Sequence, residues 1–318
     1  MKLYKYILFA VTVFAVQSCV KDPLNEITSG GWNHERSVIS IVFENQVGKA
    51  IVENTDAKTG VITLAINVSA TPSLASVKLR KLEMSYQAKS SVALGETMNF
   101  QNDTKTGILT VTSTTGEKRD YTIHVTEFTE TILGTWDVNK LTVYGGTGPE
   151  YGGGGVLQLS DKPWCWSTVN GPNTECDNSL SFTLDSISDA GNTYGKVINN
   201  AGADGKYADF IYIGDNPENP GKTVDVTKFY RQIPIGEGRW MRDYAKGTVV
   251  FTDSEGKVTT GTLVGAGTED LGNNNKMAIT GNAFAFDLNG TDDWNNIYKD
   301  YDKFVKKPRR YWISVTKN

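Results

Sequence analysis

The segment Ile132-Leu133-Gly134-Thr135-Trp136-Asp137-Val138 opens the larger of the two regions of this chain, and it predicts the first strand of a β-domain. Short apolar runs separated by Gly, Asn and Asp clusters follow it and predict further strands. These runs cover residues 141–144, 155–159, 179–184, 196–198, 209–213, 226–233, 276–288 and 311–315, with a hairpin over 247–264 that turns at 253–256. So many strands with hardly any helix indicate a β-barrel or a large sandwich.

One helix is predicted in this region, from Asp292 to Val305. Trp294, Tyr298, Tyr301 and Val305 recur at helical spacing and form one apolar stripe. Acidic residues lie in its first turn and lysines at its end, as the helix dipole prefers. We therefore expect Trp294 to be a core residue, like Trp136 on the first strand and Trp312 on the last.

The Gly134-Thr135-Trp136 motif, and a helix before a closing strand that begins near Arg309 and Arg310, resemble the layout of lipocalins and other calycins. The resemblance implies a β-barrel whose base is plugged by Trp136. It also implies that an arginine of the last strand covers this tryptophan, although Arg309 and Arg310 come a few residues early. A lectin-type jelly roll is the alternative architecture for residues 129–318.

Residues 37–128 predict a separate antiparallel β-sandwich, because apolar residues alternate with polar ones between closely spaced turns. The clearest runs are Ile62, Leu64, Ile66 and Val68, and Tyr121, Ile123 and Val125. His124 falls on the opposite face of its strand and is expected to be exposed. Residues 115–125 resemble the last hairpin of the immunoglobulin-like or cadherin-like modules near the anchor of Bacteroidota surface lipoproteins.

The N-terminus has the pattern of an export signal over residues 1–18: two lysines, then an apolar run too short to span a bilayer. Val16-Gln17-Ser18-Cys19 resembles a bacterial lipobox, which implies cleavage before Cys19 and lipidation of that cysteine. Val20-Lys21-Asp22 resembles the signal that sends such lipoproteins to the outer face of the outer membrane. Residues 19–36 are polar and predict a tether.

The charge of the chain argues against nucleic-acid binding. The whole sequence holds 32 Lys and Arg against 36 Asp and Glu, and cleavage after residue 18 removes Lys2 and Lys5, which leaves a net charge of about −6. In an exported protein, Cys165 and Cys176 predict a disulfide across a short turn. A zinc site is not predicted, because His34 and His124 lie far from both cysteines.

Catalysis is not predicted either. No histidine follows His124, so a Ser-His or Cys-His nucleophile lacks its base. The acidic residues show no grouping typical of a glycosidase. The glycine-rich stretch 145–155 lacks the helix and the Lys-Ser/Thr of a phosphate loop, and we expect it to be a loop at the mouth of the barrel. No cofactor and no metal are therefore expected.

The aromatic residues are the best candidates for a ligand site, since indole and phenol rings stack on sugar faces and carry a polar group. Trp164 and Trp166 share parity on a segment read as extended, so they are expected to face one side. Trp240 lies in a glycine-bracketed, charged segment. Tyr151 and Tyr244 complete the set of candidates for glycan binding.

The lipobox, the sandwich beside the tether and the aromatic outer domain resemble the surface glycan-binding lipoproteins of starch-utilisation-type systems. The resemblance implies a non-catalytic protein at the cell surface that captures polysaccharide or oligosaccharide, with an outer-membrane transporter complex as a partner. Two alternatives remain open: a lipocalin-like carrier of a small apolar ligand, and a structural or adhesive surface protein.

Overall fold

The computed structural model describes residues 34–71 and 73–318. Cys19, the lipobox and the export signal lie outside these residues. The described chain is mainly β and divides into two compact units, residues 34–44 with 49–127 and residues 45–48 with 128–318. This division lies one residue from the boundary expected between residues 128 and 129.

Residues 38–128 form two sheets. The strands are β1 (Val38–Phe43), β2 (Gln46–Asn54), β3 (Thr59–Asn67), β4 (Val77–Met84), β5 (Lys89–Ser90), β6 (Thr97–Met98), β7 (Thr106–Thr112) and β8 (Lys118–Phe128). One sheet has the order β1-β4-β6 and the other β2-β3-β8-β7-β5. Apolar side chains from both sheets form a single core, as a β-sandwich requires. His124 is exposed, as expected from its parity on β8.

The second unit contains thirteen strands among the described residues. They are β9 (Gly134–Gly145), β10 (Gly155–Gln158), β11 (Ser179–Ile187), β12 (Thr193–Asn200), β13 (Ile211–Tyr212), β14 (Val224–Asp225), β15 (Gly236–Asp243), β16 (Thr248–Thr252), β17 (Val258–Val264), β18 (Gly267–Asp270), β19 (Lys276–Ile279), β20 (Asn282–Asp287) and β21 (Pro308–Lys317). The helical segments are short: one α-helix (Thr227–Tyr230), 3₁₀ turns at Pro149–Tyr151, Leu159–Asp161, Pro163–Cys165, Pro172–Glu175 and Trp294–Asn296, and a π-helix (Asp302–Lys306).

Eight of these strands close into a barrel in the order β9-β11-β12-β15-β16-β17-β20-β21, and β21 pairs back with β9. Every neighbouring pair in the wall is antiparallel, and neighbours in the wall follow one another along the chain. This up-and-down order confirms the predicted barrel. It excludes the alternative jelly roll, whose Greek-key connections place strands distant along the chain side by side.

One predicted strand of this unit is wrong. Residues 226–233 contain the α-helix Thr227–Tyr230 instead. The side-chain Oδ1 of Asp225 accepts a hydrogen bond from the backbone N–H of Thr227 (2.8 Å), which turns the chain at the point where the strand was expected. Phe229 and Tyr230 then pack into the barrel core from this helix.

Trp136 lies at one end of the barrel, buried, with its indole N–H donated to the carbonyl of Ile132 (2.7 Å). Lys317 covers it: the ammonium lies 5.1 Å from the ring centroid, and the two residues are partners across β9 and β21. The expectation that Arg309 or Arg310 covers this ring is wrong, because both enter β21 at the opposite end of the β9–β21 pairing.

Aromatic side chains fill the interior of the barrel. Phe182, Phe251 and Phe284 contact one another with ring centroids 5.6 to 6.3 Å apart. A cavity of about 10 Å³ remains beside Tyr230 and Arg231, near the volume of a single water molecule. Trp312 is buried as expected, but on the outer face of the wall, where it packs with residues of the β18–β19 hairpin.

Candidate functional site

Trp164 and Trp166 do not face one side. Pro163–Cys165 is a 3₁₀ turn rather than an extended segment, so the two-residue alternation does not apply. Trp164 is 45% exposed, whereas Trp166 is 3% exposed and donates its indole N–H to the carbonyl of Leu159 (2.9 Å). Trp166 is therefore a core residue, and the expected pair of binding rings is reduced to Trp164.

Cys165 and Cys176 are both free thiols, so the predicted disulfide is wrong. Cys165 is buried and its thiol donates to the side-chain Oδ1 of Asn219 (3.4 Å). Burial raises the pKa of this thiol to about 12 and raises that of Cys176 as well. Asn219 also donates to the carbonyls of Trp164 (2.8 Å) and Ile213 (3.0 Å), and so ties the segment of Cys165 to strand β13.

Trp240 is 1% exposed and belongs to the barrel interior, so the expectation that it binds a surface ligand is wrong. Its indole N–H donates to the carbonyl of Thr183 (3.0 Å). The glycines that suggested an exposed loop have another cause: a side chain at Gly238 would meet Pro234 at 2.7 Å. Trp240 is thus an inward residue of a regular strand.

Tyr244 is half-buried in a polar network at Glu130. The carboxylate of Glu130 accepts hydrogen bonds from the hydroxyls of Tyr244 and Thr193, the backbone N–H of Ile132 and the guanidinium of Arg242. Burial, and then the hydrogen bond to Glu130, raise the pKa of Tyr244. All four hydrogen bonds to Glu130 come from groups of the protein, which indicates a structural role rather than a ligand site.

Tyr151 is exposed, and two further exposed rings lie beside it. Tyr151, Trp294 and Tyr298 are 64%, 57% and 67% exposed, and we call these three residues the aromatic platform. The ring centroids of Tyr151 and Trp294 are 6.0 Å apart with an interplanar angle of 60°. The hydroxyl of Tyr298 donates to the carbonyl of Tyr151 (3.4 Å). The structure thus gathers three large rings at one place on the surface.

The platform exists because the helix predicted over 292–305 does not form. In its place are the 3₁₀ turn Trp294–Asn296 and the π-helix Asp302–Lys306, so Trp294 is not the core residue that the stripe predicted. Asp302 is buried and accepts from both the backbone N–H (2.6 Å) and the hydroxyl (2.9 Å) of Thr147. The same hydroxyl accepts from the backbone N–H of Asp293 (2.7 Å). These bonds hold the segment against the glycine-rich loop instead of in a continuous helix.

The glycine-rich loop requires its glycines for close backbone packing. A side chain at Gly146, whose φ is +116°, would lie 2.0 Å from the carbonyl oxygen of Gly153. Gly148 has φ +58°, and a side chain there would lie 3.0 Å from the ring of Trp294. The loop therefore packs against itself and against the indole of Trp294. It carries Tyr151 as well, so the same loop positions both rings.

Asp302, which is buried, and Lys303, which is half-buried, support the platform. The ammonium of Lys303 donates to the carbonyl of Tyr298 (3.1 Å), and burial lowers the pKa of this lysine. Burial also raises the pKa of Asp302, against its hydrogen bonds from Thr147. Exposed polar residues flank the rings along the chain: Glu150, Asp292, Asn295 and Lys299. The site thus offers apolar faces with hydrogen-bonding groups at their edge.

Trp294 and Tyr298 are the residues that the sequence analysis missed. Trp294 stands among Thr291, two aspartates and two asparagines, in the run Asn289-Gly290-Thr291-Asp292-Asp293-Trp294-Asn295-Asn296. Asn, Asp and Gly favour turns over helix interiors, so this composition was a signal against a regular helix. A tryptophan in such a turn is more often exposed than a tryptophan on the apolar face of a helix.

In residues 34–71 and 73–318 no helix is both long and apolar enough to cross a membrane. The same residues hold no group of three His, Cys, Asp or Glu side chains that could bind a metal ion.

No protein-family model matches this chain, and no curated protein matches it. Among solved structures it is similar to a "putative secreted protein" of Bacteroides fragilis NCTC 9343. The match has 13% sequence identity and covers 30% of this chain and 97% of the other chain. Its TM-score is 0.22, which is too low to support an argument about function.

Proposed function

We propose that this protein binds carbohydrate at the cell surface without catalysing a reaction, and that the aromatic platform is its binding site. The observation that carries the proposal is the exposure of three neighbouring rings, Tyr151, Trp294 and Tyr298, on a backing held by buried hydrogen bonds. A cluster of exposed aromatic rings is unfavourable in water, and such clusters usually mark a binding site for a ligand or a partner.

The chemistry of the platform suits a sugar. Pyranose rings present C–H faces that pack on indole and phenol rings, and their hydroxyls need donors and acceptors at the edge of the contact. Glu150, Asp292, Asn295 and Lys299, which flank the rings along the chain, supply such groups. Lys303 and Asp302 fix the backbone beneath them, which lowers the cost of ordering the site on binding.

The carrier alternative has less support. A carrier of a small apolar ligand needs an interior cavity of several hundred Å³. Aromatic side chains occupy the barrel interior, and the cavity beside Tyr230 and Arg231 has a volume of about 10 Å³. An adhesive role would use the same platform against a protein surface, and the test below separates the two.

The anchoring and location are proposed from the sequence alone. The lipobox resemblance at Val16–Cys19 supports a lipid anchor on Cys19, and Val20-Lys21-Asp22 supports display on the outer face of the outer membrane. Several acyl chains on one cysteine would hold the protein at the membrane without a spanning helix. An outer-membrane transporter complex is the proposed partner that receives the captured glycan.

The test is a glycan array followed by affinity electrophoresis with the mature protein, in which Cys19 is replaced by Ser so that the protein is not lipidated. Trp294→Ala and Tyr298→Ala should each weaken binding about tenfold or more, since each removes a stacking face worth about 1.4 kcal/mol or more. Tyr86→Ala is the matched control, because Tyr86 is an exposed tyrosine of the other unit. It should leave binding unchanged.

Two results would overturn the proposal. One is failure of the wild-type protein to bind any glycan of the array, particularly if it retains a protein from the cell envelope that Trp294→Ala releases. The other is full glycan binding by a variant that lacks both Trp294 and Tyr298. Thermal unfolding of each variant shows whether lost binding reflects lost folding.

A further inference from the structure

Trp164 is a second exposed ring whose presentation is fixed by the fold. Its backbone carbonyl accepts from the side-chain amide of Asn219 (2.8 Å), and Asn219 is itself buried. The next residue, Cys165, is buried and donates its backbone N–H to the carbonyl of Lys162 (2.9 Å). The indole of Trp164 nevertheless remains 45% exposed. A well-anchored backbone thus holds a large apolar ring in water.

Lys162 connects this ring to the segment that carries the platform. Its ammonium lies 5.2 Å from the ring centroid of Trp164 and 3.2 Å from Oδ2 of Asp300. Asp300 follows Tyr298 by two residues, a backbone span of at most about 7 Å. Lys162 therefore links Trp164 to a residue two positions from Tyr298 of the aromatic platform.

The chain on either side of Trp164 also lines a hollow that carries hydrogen-bonding groups, although Trp164 is not part of its lining. Pro163 and Trp166 line a hollow of about 280 Å³, whose wall carries the hydroxyls of Ser160, Ser167 and Thr168. A volume of this size approaches that of small-ligand sites. The hollow thus adds hydrogen-bonding groups to the same stretch of chain that carries the exposed ring.

We propose that Trp164, with Lys162 and this hollow, is a second subsite of the glycan site, so that the ligand is a chain of several sugar units rather than a mono- or disaccharide. This inference rests on the function proposed above. A chain long enough to reach both places gains a second contact at high effective concentration, whereas a short sugar occupies the platform alone. Affinity should then rise with chain length and level off once both rings are occupied.

The test is isothermal titration with malto-, cello-, xylo- and β-1,3-gluco-oligosaccharides, each from the disaccharide to the hexasaccharide. In the series that binds, Trp164→Ala should weaken the hexasaccharide about tenfold and leave the disaccharide unchanged. Trp294→Ala should weaken both lengths. Trp164→Tyr keeps a stacking ring, so it should retain most of the increase in affinity with chain length. Val258→Ala is the matched control, because Val258 is an exposed apolar residue of β17 that belongs neither to the aromatic platform nor to the hollow.

The failures of the two proposals are distinguishable. If the protein binds none of these series and no glycan of the array, the proposed function fails and the second subsite with it. If a series binds but its affinity does not rise with length, or if Trp164→Ala weakens the hexasaccharide no more than Val258→Ala does, only the second subsite is overturned.

Discussion

Thr147 and Asp302, 155 positions apart in the sequence, are joined by two hydrogen bonds from the backbone N–H and the hydroxyl of Thr147 to the two carboxylate oxygens. This buried link holds the glycine-rich loop and the segment of Trp294 together. Tyr151 projects from the first and Trp294 from the second, so the geometry of the aromatic platform depends on a pair that touches neither ring.

We predict that Asp302→Asn loosens the platform and destabilises the protein. An amide has one acceptor oxygen, so one of the two donors of Thr147 loses its partner in a buried place, at a cost of about 1–3 kcal/mol. Urea unfolding measures the loss, and glycan binding should weaken in parallel. Asp189→Asn, in the exposed turn between β11 and β12, is the control and should change neither quantity. Unchanged binding by a folded Asp302→Asn would show that the platform does not depend on this pair.

The network at Glu130 should make stability depend on pH. Burial raises the pKa of this carboxyl, but the hydrogen bonds of Thr193, Tyr244, Ile132 and Arg242 outweigh it, and the folded-state pKa lies below the ordinary value of 4.5. The unfolded chain therefore takes up the proton first as pH falls. The stabilisation is complete above the ordinary pKa and is lost as pH falls through the folded-state value.

Replacing this residue tests the same network. Glu130→Gln should lower the free energy of unfolding at pH 7 by about 3 kcal/mol, because Arg242 loses its buried counter-charge. The difference from wild type should shrink toward pH 3. Glu237→Gln, which removes an exposed pair with Lys196, should cost less than about 1 kcal/mol. A Glu130→Gln protein with wild-type stability at pH 7 would contradict the structural role.

Two glycines of the platform loop should respond differently to alanine. Gly146→Ala places a methyl group 2.0 Å from the carbonyl oxygen of Gly153, so the loop must move and binding should fall with stability. Gly152→Ala meets nothing within 4 Å and carries only the strain of its φ of +84°, about 1 kcal/mol. Thermal unfolding and glycan affinity of the two variants provide the comparison. Equal effects would mean that backbone strain, not crowding, limits the loop.

The two cysteines should behave as unlinked thiols. A reducing agent should leave the midpoint of thermal unfolding of the mature protein unchanged, since no disulfide joins Cys165 and Cys176. Cys165 should resist alkylation in the folded protein, because it is buried and its pKa of about 12 leaves almost no thiolate at neutral pH. Mass spectrometry after alkylation of the native and of the denatured protein measures how far each thiol has reacted. A midpoint lowered by the reductant would indicate a disulfide in the exported protein.

Much of the fold could be predicted because strand alternation is local. Ile62, Leu64 and Ile66 are spaced two residues apart, and all three are buried. Gly134-Thr135-Trp136 lies on the first strand of the closed barrel, as predicted. The platform could not be predicted in this way. Trp294 has the spacing of a core stripe, but the hydrogen bonds that Thr147 makes with Asp302 and Asp293 hold its segment in another conformation. A contact over 155 positions leaves no periodic trace in the sequence.

Closure of the barrel by the pairing of β21 with β9 has a consequence for the export proposed above. Until residues 308–317 have been synthesised, the barrel wall lacks its last strand, β21. The edges of β9 and β20 that pair with β21 are unpaired during that time. Contacts over so long a separation form slowly, which leaves time for a chain to cross a membrane before it folds. A chain truncated before Pro308 would keep both edges open, and open strand edges are sites of aggregation.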